Sequence, residues 1–289
     1  MTARLARLLI AGVAWAVCTA QTPPPPMNEA AHGEPRQFLL AGSFRQGGIV
    51  RGVAPPRTIG LTFDGKRVPL GTDRSFILGF DRDHPGKAVL VAELAEGPPV
   101  ERELEIASRK WRIEHIALDR RTGQPSEAFL RRRAVELARI QAARGQMTDA
   151  QGWRQFFTLP SRGRISGVFG SQRVYNGEPA SFHTGLDIAG GWGAEVVAPA
   201  DGVVVLAGPP MFSLEGNLVI IDHGLGLNSA FLHLATTAVR AGQHVRQGER
   251  IGTAGATGRA TGPHLHWSVK WGDARVDPLE LMLPEPGPS

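Results

Sequence analysis

The 289-residue chain contains one cysteine, Cys18, and one tyrosine, Tyr175. Cys18 lies in a stretch that reads as a removable leader, so the mature chain is expected to hold neither a free thiol nor a disulfide, and its stability must come from apolar cores. Lysine is missing between Lys110 and Lys270. Beyond the leader no apolar run approaches the about 20 residues that a membrane span needs. The mature chain is therefore expected to have no transmembrane segment.

The leader is residues 1–20, where Arg4 and Arg7 precede an apolar run over 8–17 and the small residues Cys18-Thr19-Ala20. That is the pattern of a cleaved secretory signal, and it predicts export to the periplasm or cell envelope. Acylation of Cys18 as a lipoprotein is the alternative, for which Trp15-Ala16-Val17 is a poor lead-in. Residues 21–36, with consecutive prolines at 23–26, read as an extended tether. A formal net charge of +5 and a pI near 10.1 favour anionic partners. Nucleic acid is the usual one, but the leader argues against it, and peptidoglycan or another anionic envelope polymer fits both charge and location.

After the tether the signals are mainly β. Ile59, Leu61 and Phe63 alternate, Asp64-Gly65 offers a hairpin turn, and 88–94 with 100–106 read as a strand pair. Residues 37–108 are therefore expected to form a small β-sandwich of immunoglobulin-like size, without the disulfide hallmark. Within a helical connector over 109–160, Ser126 caps a helix to about residue 144, with Leu130, Ala134, Leu137 and Ile140 at helical spacing. The arginines at 131–133 read as its solvated face, and the helix as a positioning arm or a plain connector. From 161 to 289, runs such as 203–206 and 218–221, rich in β-branched residues and punctuated by Asp201-Gly202 and Gln247-Gly248, predict an antiparallel β domain.

Chemistry concentrates in that last segment. On an extended strand His264 and His266 point the same way, with Leu265 and Trp267 opposite. Eighty residues earlier, His183-Thr184-Gly185-Leu186-Asp187 brings another imidazole and a carboxylate, with Gly185 turning the chain into a strand. Catalytic zinc takes about three such ligands and leaves a position for water, whose pKa falls towards about 7. More than three candidates are present. His233, in Phe231-Leu232-His233-Leu234, is placed by alternation on the face of Phe231 and Ala235, as either a core histidine or a general base or acid. His32, His84, His115, His223 and His244 read as structural, His223 in a turn.

These residues match a family. Gly167-Val168-Phe169-Gly170, His183-Thr184-Gly185-Leu186-Asp187-Ile188, Ala198-Pro199-Ala200-Asp201-Gly202, Phe231-Leu232-His233-Leu234, Gly255-Ala256-Thr257-Gly258 and Gly262-Pro263-His264-Leu265-His266 follow in an order that resembles the M23 metallopeptidases, the lysostaphin and LytM-like group, over residues 162–283. The resemblance implies a zinc-dependent endopeptidase acting on peptidoglycan peptide, with His183, Asp187 and His266 as metal ligands. It implies His233 and His264 as the catalytic histidines, one stabilising the developing oxyanion and the other handling the water proton. Phe231 stands where members often carry tyrosine. Arg173, reached only after Ser171-Gln172, stands for an arginine expected sooner, and the loop over 173–180 with Tyr175 is expected to shape or cover the site.

Two other classes compete. Residues 242–258 also resemble biotinyl and lipoyl carrier hairpins, but a carrier needs a lysine at the hairpin tip and this region has none. A non-catalytic regulator on the same fold would bind a wall-remodelling envelope protein partner, yet such members have lost ligands and here every position is filled. A peptidase of exported proteins remains a further alternative.

Overall fold

The computed structural model describes residues 36–117 and 125–282. The leader with Cys18, the tether up to residue 35, His32 and residues 283–289 lie outside the described residues. The fold is mainly β with antiparallel sheets, and three features position the candidate site: a small sandwich, a helix and a large sheet.

The sandwich has a three-stranded sheet of β1 (Leu39–Gly42), β2 (Ile49–Val53) and β5 (Ser75–Gly79). Facing it is a four-stranded sheet of β3 (Thr58–Phe63), β4 (Lys66–Arg67), β6 (Lys87–Leu94) and β7 (Val100–Glu105). In β6 the side chains of Ala88, Leu90, Ala92 and Leu94 alternate inward, and with Val50, Phe76, Leu78 and Phe80 they form the core. The expected hairpin joins β3 to β4, where Asp64 and Gly65 both take positive φ, 47° and 76°. Such a two-residue turn matches the twist of its strands. His84 packs on Phe63 and Phe80, as a structural histidine should.

Beyond the sandwich, β8 (Ile113–Ile116) pairs in parallel with β10 (Gln172–Tyr175), which continues into β11 (Glu178–Pro179). The segment over 173–180 is thus a strand pair rather than a loop. Arg173 bonds Glu114 of β8 at 3.0 Å and takes no part in the histidine cluster described below.

Helix α1 (Glu127–Arg144) starts where expected, Ser126 Oγ accepting the Phe129 N–H at 3.2 Å. Its buried face is not the expected one. Leu130 and Leu137 are exposed, whereas Glu136 and Ala143 are buried. Arg133 grips Glu215 through two bonds of 2.6 Å, Glu136 accepts from the Ser213 N–H at 2.9 Å, and Arg139 lies over Phe212. The surface under the helix presents a carboxylate and an unpaired loop N–H, so charged partners win over the apolar stripe. Arg133 is correspondingly half-buried rather than solvated.

The large sheet runs β17 (His244–Val245), β14 (Gly202–Leu206), β15 (Asn217–Gly224), β16 (Leu227–Thr237), β19 (Leu265–Trp271), β12 (Leu186–Ala189) and β9 (Arg164–Gly167). β13 (Glu195–Val197) pairs with β18 (Arg250–Ala254), β18 also with β16, and β20 (Ala274–Val276) with β19. One face buries Leu186, Ile188, Val219, Phe231, Leu265, Trp267 and Val269. On the other, α1 covers the β14–β16 half, with Ala143 against Ile220 and Ala230. Asp187, His266 and Lys270 belong to the half beside it.

Candidate metal centre

Register assembles the centre. Asp187 of β12 stands opposite His266 of β19, which stands opposite Leu232 of β16, so the three share one face across adjacent strands. Two glycines make the approach possible. A Cβ on Gly185 would lie 2.2 Å from the Trp267 carbonyl oxygen, and one on Gly167 would lie 2.4 Å from Asp187 Oδ2, so any side chain at either position displaces β12 or its carboxylate.

His183 Nε2 and His266 Nδ1 are 3.1 Å apart, and both converge on Asp187 Oδ1, at 3.0 and 2.8 Å. His264 Nε2 is 3.7 Å from the same oxygen. The first three ligand atoms form a group that could hold a metal ion. Their separations approach the edge of a tetrahedron with zinc–ligand bonds of about 2.0–2.1 Å, which is about 3.3 Å. A purely hydrogen-bonded cluster fits less well. His183 Nδ1 faces the Val168 carbonyl at 3.0 Å, so the ring proton belongs there and Nε2 turns a lone pair towards Asp187 and His266. Lone pairs aimed at one point suit a cation between them.

The Asp187 carboxylate dominates the electrostatics of the group. Burial opposes ionisation of Asp187, but bonds and charge from His183 and His266 outweigh it and hold the carboxyl far below its ordinary range. Burial also disfavours charge on His183, yet the Asp187 carboxylate pushes its pKa up. In the almost fully buried His266 burial prevails, and the pKa falls despite Asp187.

His233 arrives by a route the alternation rule misses. Phe231 pairs with Val219 and Leu234 with Asn217, so Leu232 and His233 together oppose Leu218 alone: a β-bulge. His233 takes φ 63°, unusual for a residue with a side chain. The bulge leaves Phe231 in the core and turns His233 to the cluster, its ring 5.0 Å from His264 and 6.3 Å from His266. Phe231 and His233 therefore do not share a face. The Thr257 carbonyl holds His233 Nδ1 at 2.9 Å, and the Gly262 carbonyl holds His264 Nδ1 at 2.8 Å, leaving both Nε2 atoms for other work. Burial pushes the His233 pKa down, the Thr257 bond opposing.

All five sequence-derived residues thus lie in one cluster. The carbonyls of Val168, Thr257 and Gly262 were not legible beforehand, because backbone acceptors have no residue-type signature. Nor was Glu215, whose backbone oxygen accepts the His233 N–H at 2.8 Å while its carboxylate pairs with Arg133. His223 is buried in β15 rather than in a turn, bonded to the Asp201 carbonyl and Ser229 Oγ at 2.8 and 2.9 Å.

Comparison with known proteins agrees with this geometry. Residues 181–278 match the model for Peptidase family M23. A Pseudomonas aeruginosa crystal structure with a provisional peptidase M23 description is 30% identical, covering 83% of this chain and 94% of that one, with a TM-score of 0.64. Among curated relatives, Peptidoglycan DD-endopeptidase ShyA of Vibrio cholerae is 36% identical over 45% of this chain and 30% of its own length. Murein hydrolase activator NlpD of Escherichia coli is 36% identical over 47% of this chain and 32% of its own. The matched region is thus about a third of either relative.

Proposed function

Because the chain belongs to peptidase family M23, we propose that it is an exported zinc metalloendopeptidase that cuts peptide stems or crosslinks of peptidoglycan. The convergence of His183 Nε2 and His266 Nδ1 on Asp187 Oδ1, with His233 and His264 beside them, carries this reading. Zinc held by His183, Asp187 and His266 would supply Lewis acidity towards a peptide carbonyl and lower the pKa of water towards about 7. The other two histidines supply proton handling. Each is anchored through Nδ1 and presents Nε2, an acceptor when neutral and a donor when protonated. Burial favours the neutral form of His233, which suits it to take the proton from water. His264 is then the donor for the oxyanion and the leaving amine.

Similarity to ShyA and the net charge of +5 support a wall substrate, and in this reading residues 37–108 place the peptidase domain of residues 161–289 on the wall. The leader over residues 1–20 supports export to the periplasm. Similarity to NlpD supports a second reading, activation of a separate hydrolase, against which the intact ligand set weighs.

Digestion of purified sacculi tests both. Zinc-loaded protein should release soluble muropeptides, chelation should abolish release, and His266→Ala should lose bound zinc and activity together. Full activity of zinc-free protein would sink the metallopeptidase reading. An inert, zinc-loaded protein that stimulates a second hydrolase would establish the activator instead, and mass spectrometry of the new termini identifies the bond.

A further inference from the structure

The face that carries His266 continues towards a cationic end. Along β19 the side chains on this face are His266, Ser268 and Lys270; on β16 they are Leu232, Ala230 and Asn228, each directly opposite. Beyond Lys270, β20 places Arg275 opposite it. From α1, Arg144 reaches Asn228 Oδ1 at 2.8 Å. Arg144, Asn228, Lys270 and Arg275 therefore form one row across the sheet, parallel to the row that holds Asp187 and His266. The intervening row carries only small side chains, Ala230 beneath α1 and Ser268 buried. At about 3.3 Å per residue, the four residues from His266 to Lys270 separate the two rows by about 13 Å, the length of about four extended peptide residues.

Three cations in one row repel each other, and among the described residues the carboxylates of Asp81 and Asp273 oppose this charge without pairing with it. Among the described residues neither the Lys270 ammonium nor the Arg275 guanidinium forms an ion pair with a carboxylate. Of the acids nearby, Asp81 accepts the Arg275 backbone N–H and the Arg82 N–H, bonds that leave its charge in place, and Asp273 pairs with Lys66. Burial, with the charges of Arg144 and Arg275, pushes the Lys270 pKa down against the charges of Asp273 and Asp81. Burial, with the charge of Arg275, brings Arg144 down to about 10, still cationic at neutral pH. Like charges held together without a directly paired carboxylate are an arrangement that an anionic ligand relieves.

We propose that Lys270, Arg275 and Arg144 form a carboxylate-binding subsite, which selects peptides bearing an acidic group about four residues from the bond placed at the histidine cluster. It rests on the peptidase reading for the peptide's place along the strip, and on the cation row for the acid preference.

The test uses full-length, zinc-loaded mature protein and three synthetic crosslinked stem peptides: one with free carboxylates, one amidated at its side-chain carboxyl, one amidated at its C-terminus. The free acid should be cleaved about tenfold more efficiently in kcat/KM than one of the amides, which identifies the carboxylate read. Raised salt should shrink that preference. Lys270→Gln and Arg275→Gln should each erase it, and Lys270→Arg should keep it. Equal cleavage of all three peptides by the wild type, or an unchanged preference in both glutamine variants, would overturn the subsite while leaving the peptidase reading intact. If no peptide is cleaved, the peptidase reading fails, and calorimetric binding of the same peptides decides the subsite separately: tighter binding of the free acid, lost in Lys270→Gln, supports it, and equal affinities overturn it.

Discussion

At the scale of single residues, Gly185 and His223 show how little room the sheet leaves. Gly185→Ala would drive a methyl group into the Trp267 carbonyl, 2.2 Å away, and must push β12 outward. It should cost about 2 kcal/mol or more in urea unfolding and lower zinc stoichiometry, because Asp187 follows two residues later. His223 tests linkage. Burial lowers its pKa to about 4, so below its ordinary 6.5 the unfolded chain takes up a proton that the folded chain refuses. Stability from this residue is complete above pH 6.5 and declines as pH falls towards 4, by at most about 3 kcal/mol. His223→Gln, which retains polar bonding without titrating, should flatten that part of the stability profile. An unchanged slope would show that other groups set it.

Among the elements, α1 and the bulge in β16 are coupled through Glu215. Its carboxylate is gripped by Arg133 of the helix, and its carbonyl holds the His233 N–H at 2.8 Å. The bulge is pinned from its far side too, Asn217 Nδ2 donating to the Leu234 carbonyl at 3.0 Å. Arg133→Ala should therefore leave zinc content unchanged, yet lower kcat by about ten- to a hundredfold through misplacement of His233, with a smaller change in KM. Arg133→Lys, which cannot make the two-pronged contact, should recover only part of the loss. Unchanged kcat in Arg133→Ala would mean that His233 is held by the bulge alone.

For the whole molecule, the sandwich and the large sheet share a boundary built of buried charge and two tryptophans. Arg109 bonds Asp277 and Glu280 at 3.1 and 3.3 Å and stacks on Trp111, while Arg45 bonds Glu280 at 2.5 Å. Trp271 packs against both cores, and the Asp277 N–H donates to the Gly47 carbonyl at 2.8 Å. The described part should consequently unfold in one transition, with tryptophan fluorescence and far-ultraviolet circular dichroism coincident. Arg109→Ala, which strands the buried Asp277 carboxylate and leaves Glu280 to Arg45 alone, should shift that single transition down by about 3 kcal/mol. Two separated transitions in the wild type would refute the coupling. Among the described residues no helix is long and apolar enough to cross a membrane.

The sequence by itself determined the mainly β character, the sandwich hairpin, the start of α1, and the gathering of His183, Asp187, His233, His264 and His266. Each depends on local spacing, on turn chemistry, or on an ordered series of motifs whose residue types carry the signal. Only the tertiary structure decided which face of α1 is buried, how a bulge with φ 63° turns His233 away from Phe231, and which carbonyls orient the rings. It also decided that Arg144, Lys270 and Arg275 stand in one row, parallel to that of the ligand residues. Those outcomes turn on partners far apart in the chain: Glu215 meets Arg133 across 82 residues, and no period in either segment encodes that meeting.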